Sequence, residues 1–142
     1  NALTLSIIYI SLAQSLGIPI QGVNLPNHFL LAYVDEYNIR RFINKAIQPD
    51  SGDSDILFYL NAFSSGALVH KDEIHLFLEK LKIPAVPEYT EPCTNRTMVI
   101  RLLTNLIFSY DRLGYPEKVE ELNVLLNAVA KHKGEKPKDD TI

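Results

Sequence analysis

Cysteine is nearly missing from this sequence: Cys93 is the only one among 142 residues. A single thiol excludes an internal disulfide and any CxxC zinc site. It suits a reducing compartment, so a cytoplasmic location is expected. An excess of basic charge is missing too, since 14 Lys and Arg stand against 17 Asp and Glu, for a net charge of −3. That balance forces no basic face, and nucleic acid is not an expected partner. Long apolar runs are absent. The stretch from residue 3 to 13 has no basic segment before it, and Ser6, Ser11, Gln14 and Ser15 break it up. It is too polar and too short for a membrane span and reads poorly as a signal peptide. Metal-ligand spacing is also lacking. His70 and His75 are five apart and do not share a helix face, while His28 and His132 stand elsewhere. Asp50, Asp53 and Asp55 with Gly52 lack the terminal glutamate and the register of a calcium loop. No metal and no cofactor is expected.

What is present suits one domain with a real core, at 46% hydrophobic and 22% charged residues. The chain opens at Asn1 directly on an apolar segment, which reads as a piece of a longer protein. Residues 2–16 read as a helix, with Leu5, Ile8, Leu12 and Leu16 on one stripe. Ile7, Tyr9, Ile10 and Ala13 make the rest so apolar that a central helix wrapped by other elements is expected. Gly17 stops it and Pro19 prevents continuation. Residues 18–24, with a bulge at Gly22, and 28–34 read as an antiparallel strand pair turning at Pro26 and Asn27. The second strand is apolar on both faces and belongs inside the sheet.

Residues 35–54 read as a polar loop with a short helix near 38–46, and 55–61 as a third strand. Residues 62–69 lead through Gly66 into a helix at 71–82, with Asp72 and Glu73 in its first turn. Pro84, Pro87 and Pro92 make 83–95 an extended crossing segment. Helices at 95–113 and 116–131 form a hairpin, with Gly114 ending one and Pro116 opening the other. The tail from Lys131, with Gly134 and Pro137, has the composition of a disordered segment. The expected organisation is a core at 1–83, a crossing segment and hairpin packed on it at 84–131, and a tail at 132–142.

A helix, then LGIP, a strand, a histidine opening the next strand, and a third strand ending near Asn61 form an order that resembles the papain-like core of transglutaminase-like proteins. The segment NALTLSIIYISLAQSLGIPIQGVNLPNHFLLAY at 1–34 and FYLNAFSSG at 58–66 resemble the bacterial SirB-type branch in particular. So does the single tetratricopeptide-like helical hairpin. The likeness covers most of 1–130 and is strongest in the first 34 residues. It implies an α+β fold, with a helix packed on a small antiparallel sheet, and a triad of cysteine, histidine and aspartate. A thiol needs a base to become an attacking thiolate, and the base needs an orienting partner. Carried over position by position, the resemblance puts Ala2 (or Leu3) at the nucleophile, His28 at the base and Asn61 at the orienting acid. Alanine cannot attack, and an amide cannot balance imidazolium with a full charge. The resemblance therefore implies a domain that has lost thiol acyl transfer and binds a protein or peptide in a regulatory role.

Several residues keep two readings. His28 is either a surviving base or a half-buried histidine satisfied by backbone. Asn61 either holds His28 or starts the turn into Ala62. Cys93 follows Pro92 just before a helix and is either a relocated nucleophile meeting His28 or a small apolar anchor. A hydrolase or acyl transferase using His28 with Asn61 and Cys93, or activating water, is the alternative to the binding module. Leu25, Pro26, Phe29 and Phe63 either line a groove beside His28 or belong to the core. Asn95-Arg96-Thr97 matches a glycosylation sequon and reads better as a helix cap.

Overall fold

In a computed structural model, residues 2–36 and 55–131 are described. The helix expected near 38–46, the loop to residue 54 and the tail from 132 lie outside the described residues. The order is α1 (Ala2–Ser15), β1 (Ile20–Val23), β2 (Leu30–Val34), β3 (Ile56–Asn61), β4 (Ala67–Val69), α2 (Lys71–Lys80), α3 (Asn95–Leu113) and α4 (Pro116–Lys131). Two compact units divide the chain, Asn1–Asn95 and Arg96–Ile142. The architecture is α+β.

In the first unit the sheet has the order β1-β2-β3-β4, with every neighbouring pair antiparallel. β2 is interior, as its doubly apolar sequence requires. Side chains alternate across a strand. The registers Gly22↔Leu31↔Leu60 and Ala32↔Tyr59 therefore put Val23, Leu30, Ala32 and Tyr59 on one face. That face packs on Ile74 and Leu78 of α2, with Leu25 and Ile56 completing the buried cluster. α1 packs over β1 and β2. Its buried residues Leu3, Ile10 and Ala13, with Ile20 and Leu31, stand apart from that cluster and form the opposite layer. The sheet thus lies between α1 and α2. α1 is not wrapped: it buries one face and leaves Leu5, Ile8, Tyr9, Leu12 and Leu16 exposed.

The sequence reading missed β4. Asn61 accepts hydrogen bonds from the first amides of a 3-10 turn, Ala62–Ser64. Ser65 (φ 55°) and Gly66 (φ 76°) then both take the left-handed conformation and reverse the chain, so that Ala67–Val69 returns along β3. The bulge also lies elsewhere than expected: Gly22 pairs regularly with Leu31, and the register shifts between Tyr33 and Val34 instead.

Three helices end in the same way. After α1 the Ile18 amide donates to Ala13 and that of Gly17 to Gln14. After α2 the Ile83 amide donates to Leu78 and that of Lys82 to Glu79. After α3 the Tyr115 amide donates to Tyr110 and that of Gly114 to Asp111. This paired pattern is the Schellman motif, which needs a left-handed residue. Gly17, Lys82 and Gly114 supply it, with φ of 71°, 56° and 77°. The apolar contact that accompanies the motif is visible after α3, where the Tyr110 and Tyr115 rings meet edge to face at 6.1 Å.

The crossing segment is bonded to the sheet. The buried Tyr59 hydroxyl donates to the Thr90 carbonyl at 2.8 Å, and the Cys93 amide donates to the Gly22 carbonyl at 2.7 Å. In the second unit Arg96, in the first turn of α3, donates from Nε to the Val129 carbonyl (2.8 Å) and from Nη2 to the Ala130 carbonyl (2.7 Å). The start of α3 therefore meets the end of α4, and the two helices run antiparallel. The guanidinium also satisfies carbonyls at the negative end of the α4 dipole.

Candidate functional site

Register decides what the expected site residues can reach. Leu31 pairs with Leu60, so Leu30 lies across from Asn61, and His28 stands two residues before Leu30 at the same end of the sheet. α1 leads into β1 through Gly17, and Gln14 Nε2 donates to the Ile20 carbonyl at 3.2 Å. β1 then runs back along α1, which puts the first turn of the helix toward that same end. The turn Ala62–Ser64 packs against α1. Ala2, His28 and Asn61 are therefore gathered at one end of the sheet, in the general order that the family likeness implies.

Their side chains do not form a relay. Ala2 opens α1 with a methyl group. β2 begins at Leu30, so His28 belongs to the turn before the strand, where its amide donates to the Leu25 carbonyl at 3.1 Å. Its exposed ring rests on Phe77 of α2, with centroids 4.7 Å apart and planes tilted by 57°. Since α1 lies on the other face of the sheet, the imidazole leans away from the helix that begins at Ala2. Asn61 uses its amide oxygen locally, accepting from the Phe63 amide at 3.1 Å and the Ser64 amide at 3.3 Å. Among the described residues no hydrogen bond joins it to His28.

The remaining expected residues separate as well. Leu25 and Phe29 are buried in the core, whereas Phe63 is exposed. Cys93 is half-buried, in no disulfide, with its amide bonded to Gly22 of β1. Ser6 is fully buried on the sheet side of α1, one turn beyond Ala2, and its hydroxyl has no hydrogen-bond partner among the described residues.

An open cavity of about 1060 Å³ lies elsewhere, with Gln21, Tyr59, Leu68, His70, Thr90 and Glu91 among its walls. It lies toward the N-terminus of α2, beside β4, which is an edge strand among the described residues. The Tyr59–Thr90 hydrogen bond braces one wall. Its residues come from five separated segments, so no local spacing in the sequence announces it. No described helix is long and apolar enough to cross a membrane.

Three comparisons bear on this arrangement. A family model described as the transglutaminase-like superfamily matches residues 1–104. Two curated relatives, each named "UPF0162 protein", come from Xylella fastidiosa strains Temecula1 and 9a5c. Each is 28% identical over 112 residues, which is 75% of this chain and 34% of the relative. The chain spans about a third of the length of these curated relatives. No solved structure matches significantly.

Proposed function

The chain belongs to the transglutaminase-like superfamily, and from that membership we propose that it acts as a protein- or peptide-binding, regulatory module without thiol acyl transfer. The observation that carries the reading is the dispersal of the relay. The helix that should begin at a nucleophile begins at Ala2, with the His28 ring against Phe77 across the sheet. The Asn61 oxygen is committed to two backbone amides. An imidazole without a thiol or an orienting acceptor has no inherited route to an acyl-enzyme. The SirB-type assignment and the tetratricopeptide-like character of the hairpin belong to the same proposal. They are supported by the run Phe63–Gly66 after Asn61 and by the antiparallel α3–α4 pair held by Arg96.

The binding surface in this reading is the cavity beside β4. An extended segment can pair with a free strand edge while side-chain pockets select its residues. Exposed Leu68 offers the apolar contact, and Asp55, Asp72 and Glu91 against Lys71 leave the rim acidic on balance. Two measurements test the proposal. Amine incorporation into a glutamine peptide and hydrolysis of a p-nitrophenyl ester are compared for the chain, Cys93→Ser and His28→Ala. The expected result is no rate above background in any of them. A rate that either substitution abolishes overturns the non-catalytic reading in favour of chemistry at His28 and Cys93. Peptides selected against the chain from a random library should lose binding to Leu68→Arg; unaltered binding removes the cavity as their site.

A further inference from the structure

α1 carries two apolar stripes where a surface helix needs one. Leu3, Ile10 and Ala13 face the sheet and are buried. Leu5, Ile8, Tyr9, Leu12 and Leu16 fall within about 100° of arc on another side, at 100° per residue. All five are exposed, Leu12 at 61% and Leu16 at 74%. An apolar arc of that width ordinarily meets another apolar surface. Beside it, the Ser11 hydroxyl donates to the Ile7 carbonyl at 2.9 Å and that of Ser15 to the Leu12 carbonyl at 2.7 Å. These hydroxyl protons are already committed to the helix's own backbone, so covering them strands no donor. From Ala2 to Val34 there is no Asp, Glu, Lys or Arg.

We propose that this stripe is a homodimer contact, α1 of one copy packing antiparallel on α1 of a second. Three observations select a second copy as the occupant. A two-fold contact must be self-complementary. A face without charges meets itself with no like-charge penalty, whereas a charged partner surface would lose its hydration with nothing to pair against. α1 has no acid in its first turn and no base in its last. No charged side chain of α1 therefore offsets its dipole, and antiparallel packing sets each end against its opposite. The area also fits. The five side chains present on the order of 500 Å² per copy, so the pair would bury about 1,000 Å², the lower bound for a specific association. In the antiparallel register Leu5 lies opposite Leu16 of the second copy and Tyr9 opposite Leu12. The inference stands apart from the catalytic question.

Sedimentation velocity of the 142-residue chain from roughly 1 to 500 μM tests it, a range that brackets the weak affinity such an area supports. The expected result is a monomer–dimer equilibrium. Leu12→Glu places one charge per copy near the two-fold axis and should weaken it at least about 100-fold, and Leu16→Lys should also weaken it. Far-UV circular dichroism, and Tm at about 1 μM where the monomer prevails, should stay unchanged, because both side chains are exposed. Phe108→Glu, on an exposed position of α3, should leave association intact. In a Cys93→Ser background, Leu5→Cys and Leu16→Cys chains should crosslink when mixed, and neither should crosslink alone. A chain monomeric throughout, a dimer indifferent to Leu12→Glu, or self-crosslinking of Leu5→Cys overturns the proposal. In the first case another polypeptide covers the stripe.

Discussion

Asn61 stands where an orienting acid belongs, yet its oxygen accepts from the amides of Phe63 and Ser64. The two roles predict different energetics. As a cap, Asn61→Ala strands two amides and should cost about 1 kcal/mol, a typical penalty for losing an N-cap. In a domain of this size that is roughly 4 °C in Tm. Asn61→Asp keeps an acceptor at the same place and should stay within about 0.5 kcal/mol of the parent. His28→Ala removes a ring from Phe77 and should cost about 0.5–1 kcal/mol. The informative quantity is the coupling in the double-mutant cycle of Asn61→Ala with His28→Ala. Two side chains without a shared hydrogen bond should be additive within about 0.5 kcal/mol, whereas an orienting bond would couple them by 1 kcal/mol or more. Urea denaturation followed by circular dichroism supplies all four values. A coupling above about 1 kcal/mol would refute the local-cap account, and so would an Asn61→Ala chain as stable as the parent.

Tyr59→Phe removes a buried donor to the Thr90 carbonyl with little change in volume and should cost about 1 kcal/mol in urea denaturation. Proteolysis should then be faster across residues 83–94. Arg96→Ala loses two charge-assisted hydrogen bonds to the end of α4 and should cost about 2 kcal/mol, with Arg96→Lys recovering less than half because it lacks the planar fork. Hydrogen exchange at the C-terminal turn of α4 reads both. Gly114→Ala should destabilise by about 1 kcal/mol although nothing lies within 4 Å of the added methyl, because φ is 77° there. Lys82→Gly should stabilise by up to about 1 kcal/mol for the converse reason; both are read from Tm. Ala2→Cys alone should give no amine incorporation, since the imidazole rests on the α2 side of the sheet.

Much of the fold was legible because periodicity and punctuation agree. The α1, α3 and α4 stripes and the residues Gly17, Gly114 and Pro116 mark helix bounds that the structure reproduces within a residue or so. Lys82 was invisible as a helix stop: it does what glycine does, held by bonds from Lys82 and Ile83 back to Glu79 and Leu78. β4 was invisible for a related reason. Three residues carry no period, and they form a strand only because Ser65 and Gly66 reverse the chain beside β3. At the candidate site, the sequence located His28 and Asn61 at one end of the sheet but not where their side chains turn. A histidine two residues before a strand takes its direction from the Pro26–Asn27 turn, where Asn27 has φ 59°, and no spacing rule reports that. The enclosed helix was a wrong inference from apolarity alone, since a second stripe facing solvent looks the same in sequence as one facing a core.

The three positions of the implied relay also serve the fold. Each does structural work that its residue type performs well. Alanine is the best helix former, and Ala2 begins α1. Asparagine accepts from backbone amides at a turn, and Asn61 does so twice. An aromatic ring covers another, and His28 covers Phe77. A relay in use would impose other demands: a thiolate at the helix start, a carboxylate oxygen turned to the imidazole, and an imidazole leaning toward both. Reviving the chemistry would then require moving the His28 ring off Phe77 as well as supplying a thiol and a carboxylate. The surfaces that do not conflict with the fold, the outward stripe of α1 and the cavity beside β4, are where contacts with other molecules can be gained without loss of stability.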